Sequence, residues 1–183
     1  MSLADDQSRL VILSGCSGGG KSTLLAELAN RGHAVVEEPG RRIVREELAS
    51  GGGALPWNDP VAFLRRAISV SFDDLAAVKD APGWVFFDRG LLDACDALQH
   101  VTGEAAAETL ARAPPFQRTV LLAPPWPEIY VTDRERRHGF EAGVAEYDRQ
   151  LRTFPALGFE VVLLPKVSVE ARADFVLATL GEP

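Results

Sequence analysis

A run of nine residues near the start of the chain combines glycines with one lysine and two adjacent hydroxyl side chains: Gly15-Cys16-Ser17-Gly18-Gly19-Gly20-Lys21-Ser22-Thr23. Its spacing fits G-x-x-x-x-G-K-[ST], the phosphate-binding loop or P-loop. Glycines let the backbone turn closely enough to aim consecutive N–H groups at phosphate oxygens. We expect Lys21 to reach the β- and γ-phosphates of ATP and the Ser22 hydroxyl to bind Mg²⁺. The residues predicted to surround the nucleotide phosphates are Gly15, Ser17, Gly18, Gly19, Gly20, Lys21, Ser22 and Thr23.

A second candidate for the metal is the carboxylate of Asp88. It ends the apolar run Trp84-Val85-Phe86-Phe87-Asp88, which has the form of a Walker B strand. In P-loop proteins such a carboxylate helps to hold Mg²⁺. Strands often end in polar residues, so an ordinary strand end is the alternative reading of this pattern. Together with the P-loop, however, the run predicts Asp88 on the metal side of the site.

The elements that must position these groups can be read from the apolar pattern. Five short runs are continuously apolar, as expected of parallel strands covered on both faces: 10–13, 34–36, 84–87, 119–122 and 161–164. Helical patterns lie between them at 21–30, 41–50, 60–80, 92–113 (broken near Gly103), 141–157 and 169–180, the last with Ser168 as N-cap. This alternation predicts one doubly wound α/β domain over residues 1–183. Residues 1–8 are given no structural role.

Bulk properties restrict the classes of function. The chain has 183 residues and a net charge of −7, which argues against a general affinity for nucleic acid. No apolar run approaches the length of a membrane span, and the start is too acidic for a signal peptide. Cys16 and Cys95 lack the spacing of a metal site or disulfide framework. We therefore expect a cytoplasmic protein with a small-molecule partner, no nucleic acid and no membrane, while the oligomeric state stays open.

Missing motifs narrow the P-loop class. The chain has neither the Asn-Lys-x-Asp sequence of GTPases nor an LSGGQ-like signature of ABC-type ATPases. AAA+ motors place a glutamate directly after the Walker B aspartate to activate water, whereas Arg89 stands there in this chain. Hydrolysis is therefore not the expected reaction, and transfer of the γ-phosphate to another acceptor is favoured.

Three segments after the predicted strands carry a family resemblance: Val36-Glu37-Glu38-Pro39-Gly40-Arg41, Asp88-Arg89-Gly90-Leu91-Leu92-Asp93 and Asp133-Arg134-Glu135-Arg136-Arg137. With the P-loop, they resemble the small-molecule kinases of the P-loop superfamily. More narrowly, the chain looks like the AAA_28-type group, which is similar to nicotinamide riboside kinase domains and, more distantly, to deoxynucleoside kinases. The resemblance implies a three-layer P-loop NTPase fold, a five-stranded parallel sheet of order 2-3-1-4-5, and a helical lid at about 126–142.

The same resemblance implies roles for residues outside the P-loop. Glu38 corresponds to the family's glutamate that acts as base on the acceptor hydroxyl, and Glu37 is the neighbour with which it could be confused. Arg136 is the first candidate for a catalytic arginine of the lid, and Arg134 is expected at the phosphates. Lys166 follows strand five, where the superfamily packs the nucleotide base.

Several charged residues are predicted on the substrate side. Arg41 and Arg42 open a helix, where cations are disfavoured by the helix dipole, so an anionic partner is one reading and an exposed pair the other. Arg89 faces the crevice beyond the strand ends as a substrate contact, or forms a salt bridge with Asp93. Because these arginines replace the tryptophan that follows Glu-Pro in nucleoside kinases, we expect an acceptor that is more anionic or more polar than a nucleoside.

The sequence thus predicts a Mg²⁺-dependent kinase that transfers the γ-phosphate of ATP to a nucleoside- or riboside-like hydroxyl compound. A nucleotide-dependent regulatory ATPase that signals to a partner is the main alternative. A module that binds nucleotide without catalysis is a third.

Overall fold

The computed structural model describes residues 3–130 and 139–182. Seven strands and seven α-helices occupy these ranges: β1 (Ala4–Asp5), β2 (Leu10–Gly15), α1 (Lys21–Asn30), β3 (Ala34–Val36), α2 (Pro39–Ser50), α3 (Pro60–Ala77), β4 (Val85–Asp88), α4 (Leu91–Thr102), α5 (Ala106–Leu110), β5 (Phe116–Gln117), β6 (Thr119–Ala123), α6 (Phe140–Ala156), β7 (Glu160–Leu163) and α7 (Val169–Leu180). A single 3₁₀ turn covers Pro127–Ile129. No helix in the described ranges is both long and apolar enough to cross a membrane.

The main sheet is parallel and has five strands in the order β3-β4-β2-β6-β7. Counted along the chain, this is the predicted order 2-3-1-4-5. β2 lies in the centre, and its apolar side chains alternate between the two faces: Val11 and Leu13 pack on one side, Ile12 on the other. All three are fully buried. The continuous apolar run therefore reflects a strand covered by helices on both faces, as predicted.

The central position of β2 also decides where its ends point. Leu13 pairs with Asp88 of β4 on one side and with Leu121 of β6 on the other. The carboxyl ends of these strands consequently meet at one edge, where the P-loop leaves β2. In open α/β sheets this edge is the usual place for a ligand.

Helix boundaries follow the predicted caps closely. α1 and α7 have the predicted bounds, and the Ser168 hydroxyl accepts a hydrogen bond from the Ala171 N–H, 3.3 Å away, at the start of α7. The predicted break near Gly103 is confirmed, since this residue ends α4 with a φ of 80°. α2 begins two residues earlier than expected, because Pro39 occupies its first turn. Proline is tolerated there, since the N–H groups of the first turn have no partner within the helix and the missing N–H of proline costs no hydrogen bond.

The prediction that residues 1–8 have no structural role is wrong. Ala4–Asp5 forms β1, which pairs in parallel with β5 through Ala4 opposite Phe116. Ala4 is buried and belongs to the same core as Ile12. The sequence signal was too weak because a two-residue strand has no apolar period, and its stability comes from backbone hydrogen bonding to a distant segment.

Candidate functional site

The P-loop connects β2 to α1 through three glycines with left-handed backbone conformations. The φ angles of Gly15, Gly18 and Gly20 are 106°, 81° and 76°. A Cβ atom on Gly15 would lie only 2.3 Å from the carbonyl oxygen of Ala123 in β6. Glycine is therefore required there for both its conformation and its lack of a side chain.

Lys21 is buried at the first position of α1 and folds back over the loop. Its Nζ donates hydrogen bonds to the backbone carbonyls of Cys16, at 2.9 Å, and Gly15, at 3.3 Å. Burial and, to a smaller extent, the nearby charge of Arg89 lower the pKa of Lys21 to about 8, while Asp88 and other carboxylates oppose the shift. A bound phosphate would offset this desolvation by giving the ammonium an anionic partner.

The side chains predicted to bind a metal ion are those of Asp88 and Ser22. Asp88 ends β4 and is 6% exposed, and its Oδ1 is buried with no hydrogen-bond partner among the described residues. Burial raises the pKa of Asp88 to about 6, with Glu38 adding to the shift and Lys21 opposing it. Such an orphaned carboxylate oxygen fits Mg²⁺ or a water molecule bound to it. The described residues hold no group of three or more His, Cys, Asp or Glu suited to a metal, so the nucleotide and water would supply its other ligands.

A cavity of about 370 Å³ opens on one side of the P-loop. We call it the nucleotide-side cavity. Its lining comes from the loop and α1 and from the segments after β6 and β7: Gly18, Gly20, Lys21, Ser22, Thr23, Trp126, Ile129, Val167, Val169 and Arg172. Lys166, predicted to contact the nucleotide, is exposed and does not line the cavity, whereas its neighbour Val167 does. The contact of Lys166 with the nucleotide therefore stays a prediction.

Arg172 is a residue of this cavity that sequence analysis missed. It lies on α7, is 2% exposed, and donates hydrogen bonds to the carbonyls of Gly19, at 3.0 Å, and Gly20, at 3.1 Å. Its guanidinium lies over the Trp126 ring, 5.6 Å from the centroid. A signal was present in the sequence: Arg172 is four residues before Val176, so a cation occupies the buried stripe of an otherwise ordinary amphipathic helix.

A second cavity, of about 340 Å³, opens on the other side of the P-loop. We call it the acceptor-side cavity. Its apolar wall is built by α2, α3 and α4, with Val44, Phe63, Leu64, Ala67, Ala94, Ala97 and Val101. Its polar side chains include four predicted for the substrate side or as base, namely Glu38, Arg41, Arg89 and Asp93, together with Ser17 and Glu146. The fold thus brings residues from three separate motifs to one place.

Arg89 connects the two strand ends and the helices around this cavity. It has a left-handed backbone, with a φ of 60°, and its N–H donates to the Leu13 carbonyl at 2.8 Å. Its guanidinium donates to the Gly15 carbonyl at 2.8 Å and to carboxylates of Glu146, at 2.9 Å, and Asp93, at 3.3 Å. The salt bridge to Asp93, one of the two predicted alternatives, is therefore present, and Arg89 also lines the cavity.

Glu146 and Asp93 respond differently to the same surroundings. Burial acts to raise the pKa of Glu146, but the charges of Arg89 and Lys21 prevail and hold it below its usual value. For Asp93 burial prevails, and the pKa rises to about 7. One Asp93 oxygen accepts hydrogen bonds from Ser14, Gln150 and Arg89, while the other has no partner in the described ranges. Glu146 was not predicted, because it lies far along the chain on α6.

The structure separates the two adjacent pairs that the sequence left ambiguous. Glu38 stands at the N-terminus of α2 and lines the acceptor-side cavity, with its Oε2 3.3 Å from the Nε of Arg41. Glu37 instead pairs with Arg45 at 2.6 Å, and its side chain is 52% exposed. Arg42 pairs with Asp74 of α3. The predicted placement of Glu37 and Arg42 at the substrate is therefore corrected, since their ion pairs hold both outside the cavity lining.

Residues 131–138, about half of the lid predicted at about 126–142, lie outside the described residues. They include Arg134 and Arg136, the two arginines predicted for phosphate contact and catalysis. The described residues on either side meet, because the rings of Tyr130 and Phe140 lie edge to face with centroids 5.1 Å apart. Tyr130 also lies against Gly18, where a Cβ atom would be 2.5 Å from its ring.

Comparisons with known proteins agree with this geometry. The model of the family AAA_28, described as an AAA domain, matches residues 10–172. A crystal structure of NadR protein in complex with NAD and AMP-PNP is 21% identical, with a TM-score of 0.64, over 95% of this chain and 50% of the NadR chain. This chain thus spans about half the length of NadR. No curated protein sequence matches.

Two smaller proteins are similar over nearly their whole length. Deoxyadenosine kinase from M. mycoides with bound dATP is 13% identical, with a TM-score of 0.61, over 93% of this chain and 98% of that one. Shikimate kinase from Acinetobacter baumannii in complex with shikimate is 15% identical, with a TM-score of 0.58, over 96% of this chain and 94% of the shikimate kinase chain. At these identities the likeness establishes the shared fold.

Proposed function

This chain belongs to the AAA_28 family of AAA domains, and from that premise we propose that it is a Mg²⁺-dependent kinase that transfers the γ-phosphate of ATP to a hydroxyl group of a small metabolite. The observation that carries the proposal is the pair of cavities that flank the P-loop. A hydrolase needs a nucleotide site and one water molecule. Here a second cavity of similar volume adjoins the loop, with carboxylates beside an apolar wall.

In this proposal the residues mainly position the two substrates and neutralise the charge of the phosphates, which is what phosphoryl transfer demands of a protein. The backbone N–H groups of the P-loop and Lys21 hold the phosphates. Ser22 and Asp88 would hold Mg²⁺, which supplies charge neutralisation between the β- and γ-phosphates. Lys21 would leave the carbonyls of Gly15 and Cys16 for the phosphate oxygens.

Glu38 is the proposed base on the acceptor side. It lines the cavity and is only partly exposed, with 23% of its side chain accessible. Its carboxylate would accept the proton of the acceptor hydroxyl as the new oxygen–phosphorus bond forms and the bond from the γ-phosphorus to the bridging oxygen breaks, so that ADP leaves. Arg136, and Arg134 beside the phosphates, complete the proposed machinery on the strength of the family resemblance.

The acceptor class follows from charge and surface. Arg41 and Arg89 both lie near carboxylates: Arg41 near Glu38, and Arg89 near Asp93, Glu146 and Glu38. Apart from Ser17, His100 and Arg149, which pairs with Asp96, the rest of the cavity lining is apolar or glycine. This balance favours an uncharged hydroxyl compound with one apolar face over the anionic acceptor that the arginines alone had indicated. Among the similar structures, NadR protein is in complex with NR, shikimate kinase is in complex with shikimate, and deoxyadenosine kinase has bound dATP.

The test is an incubation with Mg-ATP and a pooled library of nucleosides, ribosides, sugars and their phosphates, read by mass spectrometry. We expect one or more acceptors heavier by a phosphoryl group, and loss of that product in Lys21→Ala. Lys79→Ala, at an exposed position, is the matched control and should retain the activity. ADP and free phosphate without a phosphorylated acceptor would refute the kinase and support the regulatory ATPase.

A further inference from the structure

Arg172 is a buried cation without a buried anion to balance it. It is 2% exposed, and within the described ranges it has no ion pair and its Nε has no hydrogen-bond partner. Burial lowers the pKa of its guanidinium, and no carboxylate raises it. An uncompensated buried charge destabilises a fold unless something offsets it. The cavity that Arg172 lines is the one assigned to a polyanion.

The hydrogen bonds of Arg172 reach the carbonyl groups of the P-loop and not its N–H groups. Its two terminal nitrogens donate to the carbonyls of Gly19 and Gly20. These carbonyls belong to the peptide units whose N–H groups are those of Gly20 and Lys21, at the entrance of α1. A donor on a carbonyl polarises its peptide unit, so the N–H at the other end becomes a stronger donor. Phosphate held at a helix N-terminus depends on such N–H groups.

We propose that Arg172 is a positioning residue for the nucleotide phosphates: from α7 it fixes and polarises the Gly19–Gly20 segment of the P-loop and supplies positive charge behind it. The inference rests on the nucleotide-binding part of the proposed function. It assigns Arg172 to the phosphates and not to the base, because its donors end on the loop. The Trp126 ring covers the guanidinium and confines it there.

The close fit of the loop around Arg172 supports this role. A Cβ atom on Gly20 would lie 2.6 Å from the Nη1 of Arg172. Gly20 therefore serves two purposes, since it permits a φ of 76° and leaves room for the guanidinium. A neutral side chain of similar length would fill this space without the charge or the two donors.

The experiment compares the wild type with Arg172→Met by calorimetric titration of ATP-Mg²⁺ and of tripolyphosphate, which has no base. We expect both ligands to bind about 10- to 100-fold more weakly to the variant, as for loss of charge-assisted hydrogen bonds. Arg172→Lys, which keeps the charge but lacks the two separate nitrogens that reach both carbonyls, should recover part of the affinity. Arg31→Met is the control, because Arg31 also contacts α7, through Asp174, but is partly exposed and away from the loop. It should bind as the wild type does.

Thermal unfolding without ligand separates this role from a structural one. Removal of an unpaired buried charge should leave the midpoint of Arg172→Met within about 2 °C of the wild type or above it. A clear drop in the midpoint together with the loss of affinity would overturn the proposal in favour of a packing role. Unchanged tripolyphosphate binding would overturn it as well. Both results leave the kinase proposal standing, whereas failure of the wild type to bind either ligand would refute nucleotide binding itself.

Discussion

The two cavities beside the P-loop handle positive charge in opposite ways. On the nucleotide side, Lys21 and Arg172 direct their hydrogen bonds to backbone carbonyls of the loop. On the acceptor side, Arg41 and Arg89 lie against carboxylates. A carbonyl offers a dipole and leaves the cation its full charge, whereas a carboxylate neutralises it. Net positive charge is thus retained where phosphates are expected and removed where they are not.

This difference matters because both cavities open onto the same loop. An acceptor side with free arginines would attract the phosphates of ATP and compete with the productive site. Ion pairs with Asp93 of α4 and Glu146 of α6 remove that attraction, and together with a hydrogen bond to the Gly15 carbonyl of β2 they keep Arg89 in place. We infer that the carboxylates around Arg89 contribute to specificity as well as to the fold.

The largest expected effect separates the two adjacent glutamates at this boundary. Glu38→Gln should lower kcat for acceptor phosphorylation by about 10²- to 10⁴-fold, the usual contribution of a general base. Glu37→Gln removes the same charge one residue away, from an exposed side chain paired with Arg45, and should stay within about twofold of the wild type. Steady-state kinetics on the acceptor found in the pooled assay measures both. Equal losses in the two variants would contradict the assignment of Glu38.

The next effect concerns stability and pH. Asp93 has a pKa of about 7 in the folded protein because it is buried, against about 4 when unfolded. Between these values the folded state holds a proton that the unfolded state has lost, so stability falls as pH rises from about 4 to about 7, by up to about 4 kcal/mol. Urea unfolding across this range should show a smaller fall in Asp93→Asn. The same dependence of unfolding free energy on pH in the two proteins would contradict a raised pKa of the buried Asp93 carboxyl.

A smaller effect is expected from a substitution that changes the charge balance of the acceptor-side cavity. Glu146→Gln removes one carboxylate from Arg89 and should lower the Ki of inorganic phosphate, competing with the acceptor, by about tenfold. Glu141→Gln changes an exposed residue of the same helix and should leave the Ki as it is. If phosphate inhibits Glu146→Gln no better than the wild type, compensation of Arg89 does not decide specificity.

The smallest effect tests the residue after β7. Lys166→Ala should change ATP affinity by less than about twofold, because an exposed charge off the cavity lining contributes little. Val167→Asp places a negative charge on the lining itself and should weaken binding more. Fluorescence titration with ATP compares the two. A stronger loss in Lys166→Ala would support the sequence prediction that this lysine binds the nucleotide.

Much of the fold followed from the sequence. The bounds of α1 and α7 and the position of Asp88 at a strand end were predicted because each depends on local pattern. The order of the five strands was implied by the family resemblance, and the sheet has that order. The strand β1 was missed, since two residues carry no period. Helix α2 was predicted to begin two residues too late, although Pro39 is typical of the first turn of a helix.

What the sequence by itself determined is the phosphate-binding motif, because the backbone N–H groups of its glycines and the side chains of its lysine and hydroxyl residues all lie in one contiguous stretch. What only the tertiary structure decided is the partner of each charge. Arg172 meets Gly20 across 152 positions, and Glu146 meets Arg89 across 57. The choice of Glu38 over Glu37 likewise depends on which side chain the turn into α2 directs toward the cavity. Spacing along the chain encodes a loop, but charge compensation is a property of neighbours in space.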